Sequence, residues 1–106
     1  MNHRVLVDTD PLVAILNAND SQHDVCVSAL DHVRTPMRTS WPVLTEAAYL
    51  LRRRSDLVQK LLRSITEGFL EVAVLTDSDA TAISDILKQY GDQGFQLADA
   101  TLMHLS

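Results

Sequence analysis

One cysteine, three prolines, three glycines and 5% aromatic residues leave this 106-residue chain with few of the residues that mark specialised folds. A lone Cys26 excludes an internal disulfide and fits a reducing compartment. The scarcity of glycine rules out a phosphate-cradling loop, and no Gly-x-Ser-x-Gly elbow supports Ser/His/Asp catalysis. No stretch approaches the roughly 20 apolar residues needed to span a bilayer. Met1-Asn2-His3-Arg4 holds no apolar signal segment, so the expectation is a cytoplasmic protein with no membrane role. A basic excess is missing too: the net charge is −5 and the pI about 5.1. Nucleic-acid binding is therefore not favoured by charge alone.

What is present is apolar material, 46% of the residues, enough to bury a core. The length suits one domain over residues 1–106, and neither a repeat nor a linker divides it. Val5-Leu6-Val7 is a continuous apolar run, as expected of a parallel strand covered on both faces. Asp10-Pro11 has the residues of a helix N-cap and first turn, predicting a short helix from Pro11 to Leu16. Further helices are predicted over His23–Val33, Pro42–Arg53, Asp56–Glu67, Ala80–Tyr90 and Leu97–Leu105, with Gly68 as a stop signal. Met37–Ser40 and Phe69–Leu75 read as strands. Strands alternating with helices define a parallel α/β fold.

Three acids stand where chemistry is placed in such folds. Asp8 closes the first strand, and open parallel sheets carry their crevice outside the carboxyl ends of the strands. It is either a catalytic ligand or a helix cap. Glu46 lies roughly 40° beyond Leu50 around its helix, on the border of the apolar stripe. There it is either a crevice ligand or a surface acid favoured by the helix dipole. Asp99 occupies the first turn of the last helix within the apolar run Phe95-Gln96-Leu97-Ala98-Asp99-Ala100, again as a ligand or a cap. If the three converge, their mutual repulsion calls for a divalent cation. Mg²⁺ or Mn²⁺ suits oxygen donors, takes only one or two carboxylates directly, and stabilises charge on a phosphate.

Three segments carry a family resemblance: Val5-Leu6-Val7-Asp8-Thr9-Asp10-Pro11-Leu12-Val13, Thr39-Ser40-Trp41-Pro42-Val43-Leu44-Thr45-Glu46-Ala47-Ala48-Tyr49-Leu50-Leu51, and Leu97-Ala98-Asp99-Ala100. In order and separation they resemble PIN-domain ribonucleases, in particular the VapC-type toxins of toxin–antitoxin pairs. The resemblance covers the whole chain. It implies a three-layer α/β/α fold with a short parallel sheet and a metal-dependent endoribonuclease cutting single-stranded RNA. It also implies that Asp8, Glu46 and Asp99 are the catalytic Mg²⁺ or Mn²⁺ ligands, and that the partners are RNA and a cognate antitoxin. Such domains usually continue past the last helix into another strand, often followed by a fourth acid, whereas this sequence stops at Ser106. The expected sheet thus has its C-terminal strands missing and an exposed edge, which predicts a homodimer.

A second reading is a shortened, catalytically inactive PIN domain that acts as a protein-interaction module. A third is a flavodoxin-like receiver, for which Lys88 is poorly placed. Arg53 follows Glu46 by two helical turns and could meet an RNA phosphate, although cations at a helix C-terminus are favourable in any case. Asp10 is expected to cap its helix rather than serve the site. His3, His23, His32 and His104 show no metal-ligand spacing, and Cys26 reads as a small core residue. Trp41 and Tyr49 could stack bases, but the expectation is that they pack around their helix.

Overall fold

The computed structural model describes residues 5–91 and 96–106. His3, Phe95 and the rest of the stretch between Gly91 and Gln96 lie outside the described residues. The chain runs through α1 (Thr9–Leu16), α2 (His23–Leu30), β1 (Met37–Thr39), α3 (Trp41–Leu50), α4 (Ser55–Thr66) and β2 (Leu70–Val72). A 3-10 turn at Asp77–Asp79 then leads into α5 (Ala80–Tyr90), and α6 (Leu97–Leu105) follows. The α/β class stands, with helices predominating over a short parallel sheet.

β1 and β2 pair in parallel, Met37 opposite Leu70 and Thr39 opposite Val72. The 5–7 segment joins the other edge of β1 less extensively than the sequence suggested. A single bridge links Leu6 to Arg38, held by Val7 N–H to Arg38 C=O at 2.9 Å and Arg38 N–H to Val5 C=O at 2.8 Å. Cover on both faces is not found either: Val7 is buried, but Val5 is half exposed. β2 is shorter than the predicted Phe69–Leu75 for a simple reason. β1 ends where Trp41 enters α3, so after Ala73 N–H reaches Thr39 C=O no residue of β1 remains to pair with Val74.

The first helix begins two residues earlier than expected. Asp8 holds extended backbone (φ −90°, ψ 176°), accepts Thr9 N–H at 2.7 Å, and offers its carbonyl to Leu12 N–H. Asp8, not Asp10, is therefore the N-cap; Asp10 sits in the first turn, where the dipole favours an acid and the N–H that Pro11 lacks would be unpaired anyway. α3 ends three residues earlier than expected, at Leu50. Val43, Leu44 and Ala47 face the core, whereas Leu50, Tyr49 and Trp41 are exposed, so the expected packing of both aromatics is not observed. α2 buries none of its residues, and Val25 is exposed. Cys26 on the same helix is only half-buried rather than core.

The core is aliphatic. Val7, Leu12, Leu16, Val43, Leu44, Ala47, Leu51, Leu57, Leu61, Leu70 and Ala98 form one cluster. α4 supplies Leu57 and Leu61 and ends in a Schellman motif, with Gly68 N–H to Ile65 C=O at 3.1 Å and Phe69 N–H to Ser64 C=O at 2.9 Å. Gly68 adopts φ 85°, and an added Cβ would meet nothing within 4 Å. Gly68→Ala therefore tests backbone strain alone. It is expected to destabilise the fold by about 1–2 kcal/mol, read as a lowered urea midpoint at unchanged slope.

Candidate active site

The paired segments run at their carboxyl ends into the site residues. The 5–7 segment ends in Asp8, β1 ends at Thr39 with Ser40 next, and α3 then carries Glu46. Thr39 Oγ1 donates to Val7 C=O at 3.0 Å, fixing the two chain segments just before Asp8. Thr9 binds both neighbouring acids: its N–H donates to Asp8 Oδ1 and its hydroxyl donates to Glu46 Oε2 at 3.0 Å. Glu46 is thus half-buried with a defined partner across the α1–α3 contact, not a solvated surface acid.

Asp99 is held differently. Its Oδ2 accepts Gln96 N–H at 3.0 Å, and the Asp99 N–H donates to the Gln96 side chain, a reciprocal cap of α6. α6 packs on α3 and α5. Its link to the first part of the site is a buried contact 2.8 Å long between Ser40 Oγ and Thr101 Oγ1. At its far end, His104 Nε2 lies 2.8 Å from Asp79 Oδ1. The Thr76 N–H bond, and then His104, hold the Asp79 carboxyl below its ordinary pKa.

Thr9, Thr39, Ser40 and Thr101 are the buried polar residues among those described, and all four lie at this end of the molecule. Elsewhere the described core is apolar. Buried hydroxyls are retained only where their hydrogen bonds are met, and here they are. Composition and periodicity single out none of these side chains. The signal that could have found them is a hydroxyl beside each acid or at the strand end, in Asp8-Thr9, Thr39-Ser40 and Asp99-Ala100-Thr101.

The acids do not close into one cage. Among the described residues no three His, Cys, Asp or Glu side chains are grouped to hold a metal ion. Asp8 and Glu46 meet at Thr9, whereas Asp99 is turned to its own helix start. The donor chemistry nonetheless fits a hard cation: the candidate donors are carboxylate oxygens, and such an ion needs only one or two direct carboxylates beside its waters.

Other candidates fall away from this centre. Asp10 is exposed on a hollow of about 580 Å³ with Asp20, Gln22 and Cys26. Because α3 stops at Leu50, Arg53 lies beyond the helix and the two-turn alignment with Glu46 does not hold. Arg52 stacks on the Tyr49 ring at 4.1 Å, and Arg54 pairs with Asp56 through contacts of 3.1 and 2.9 Å. His23 bonds Ala14 C=O. An apolar hollow of about 470 Å³, lined by Leu16, Leu30, Pro36 and Phe69, opens at the opposite ends of the strands.

The profile of the PIN domain family matches residues 5–106, and the chain belongs to that family. The fold agrees with a solved structure, Mycobacterium tuberculosis VapC20, described as a sarcin-ricin loop cleaving toxin. The TM-score is 0.85 at 21% identity, over 95% of this chain and 79% of that one. No curated protein sequence matches. No helix among the described residues is long and apolar enough to cross a membrane.

Proposed function

We propose that this chain is a divalent-metal-dependent endoribonuclease, the toxin of a toxin–antitoxin pair acting in the cytoplasm. The observation that carries the reading is Thr9 binding Asp8 and Glu46 at once, at the strand ends where α/β folds place their chemistry. Family membership supports it, because PIN nucleases generally depend on a divalent metal. A protein of the same fold is described as a sarcin-ricin loop cleaving toxin, which supports the toxin reading; single-stranded RNA is the substrate class this proposal takes.

Asp8, Glu46 and Asp99 would hold Mg²⁺ or Mn²⁺. When bound, the ion neutralises charge on the scissile phosphate and lowers the pKa of water. The chain's own part is positional. Thr9 fixes the rotamers of the first two acids, so little side-chain freedom is lost on binding. The cap bond from Asp8 and the box formed by Asp99 orient both at helix starts, where partial positive charge offsets their repulsion. A homodimer and a cognate antitoxin are the partners this reading expects, the dimer being supported by the short sheet.

The test is incubation of purified protein with single-stranded RNA and Mn²⁺. Cleavage that a chelator abolishes is the expected result. No cleavage, or cleavage indifferent to the chelator, sinks the proposal. Tight antitoxin binding without cleavage would favour an inactive interaction module, the reading that the engagement of Asp99 in its own helix cap supports.

A further inference from the structure

Ser40 does something unusual for a serine at the start of a helix. It is the N-cap of α3, with extended backbone (φ −130°, ψ 159°), yet its side chain makes no cap bond. An N-cap hydroxyl ordinarily accepts from the second or third helical N–H. Here the second helical residue is Pro42, which has no N–H to offer. The Ser40 hydroxyl reaches across to α6 instead, meeting Thr101 Oγ1 at 2.8 Å, with Ser40 fully buried and Thr101 nearly so.

The direction of this bond follows from proton counting. Thr101 Oγ1 donates its single proton to Ala98 C=O at 2.8 Å. Ser40 must therefore donate to Thr101, giving a buried relay from Ser40 O–H to Thr101 O–H to the Ala98 carbonyl. One end of that relay lies six residues before Glu46, on the helix that carries it. The other end encloses Asp99 between Ala98 and Thr101 in the first turns of α6. Because Asp99 is locked to Gln96 by its reciprocal cap, wherever α6 is seated, Asp99 goes with it.

We propose that the Ser40–Thr101 hydroxyl pair is a positioning element that seats α6 against α3 and so sets Asp99 relative to Glu46 for cation binding. This rests on the nuclease reading only for the identity of the ligands. Neither hydroxyl touches substrate; both act through the acids. The pair is suited to the task because it is directional and fully buried, where water does not compete for it.

The experiment measures Mn²⁺ affinity by calorimetry for the wild type, Thr101→Val, Thr101→Ser and Ser40→Ala, with thermal unfolding followed in parallel. Thr101→Val keeps the shape and removes the relay, and is expected to weaken Mn²⁺ binding about 10–100-fold, as loss of a ligand's supporting partner does. Thr101→Ser restores the hydroxyl and is expected to restore the affinity. Ser40→Ala leaves α3 no worse capped, since the hydroxyl makes no cap bond, and is expected to match Thr101→Val. The double variant is expected to be no weaker than either single one. A Thr101→Val protein that melts earlier but binds Mn²⁺ as tightly as wild type overturns the proposal, as does a Thr101→Ser protein no better than valine, or a wild type that binds no Mn²⁺. Should Thr101→Val not fold, Ser40→Ala against wild type decides. RNA cleavage is scored separately. Relay-dependent Mn²⁺ binding without cleavage removes the nuclease reading and keeps the relay, and cleavage with relay-independent binding does the reverse.

Discussion

Glu46→Gln is expected to abolish Mn²⁺-dependent RNA cleavage while leaving the melting temperature almost unchanged. The separation of the two effects comes from Thr9. Its hydroxyl donates to Glu46 Oε2, and a glutamine amide oxygen still accepts that bond, without the charge assistance, so the α1–α3 link survives. The substitution removes only the negative charge. Loss of a charged ligand exceeds the ~10–100-fold penalty seen when a mere supporting partner is lost, so activity falls by at least about 100-fold. Stability moves by no more than about 0.5 kcal/mol, the range of a substitution that breaks no packing or hydrogen bond. Asp8→Asn is the matched control: asparagine caps a helix as well as aspartate does, so α1 persists while a second charge disappears. Steady-state cleavage rates and unfolding curves on the same preparations check both. Retained cleavage in Glu46→Gln would show that this acid holds no catalytic cation.

The contrast between Asp8 and Asp10 shows what the sequence could and could not reveal about the site. Both acids precede a helix, and propensity alone prefers Asp10 because Pro11 follows it. The strand decides otherwise: Val7 is tied to Arg38 and Thr39, so the chain can turn into a helix at Thr9, and Asp8 becomes the cap. Elements with strong periodicity were legible almost to the residue, α5 and α6 among them. The faces of α2 and α3 were not, because Val25 and Leu50 obey the apolar pattern yet face solvent. An apolar pattern states what could be buried, not whether another element arrives to cover it. The hydroxyls were illegible for a related reason. A threonine reads as a surface or strand residue until its partner is known, and the partners of Thr9 and Thr101 are 37 and 61 residues away.

Position within the fold matters as much for stability as for the site, and α4 allows a clean comparison. Leu61→Ala is expected to cost about 2–5 kcal/mol, because Leu61 is almost completely buried in the aliphatic cluster and its removal leaves a cavity that rigid neighbours cannot fill. Leu62→Ala makes the same chemical change one residue along, with the same small gain in helix propensity. Leu62 is 41% exposed, so its truncation is expected to cost under about 1 kcal/mol. At roughly 4–8 °C per kcal/mol for a chain of this size, the first variant melts roughly 10–40 °C below wild type. The second stays within a few degrees. α4 contributes none of the candidate ligands, so Leu61→Ala assayed well below its transition is expected to retain near-normal cleavage per folded molecule. Equal melting points for the two variants would mean that α4 does not present Leu61 to the core. Loss of cleavage in a fully folded Leu61→Ala protein would mean that the site depends on the core more directly than the hydrogen bonds of Thr9, Thr39 and Ser40 require.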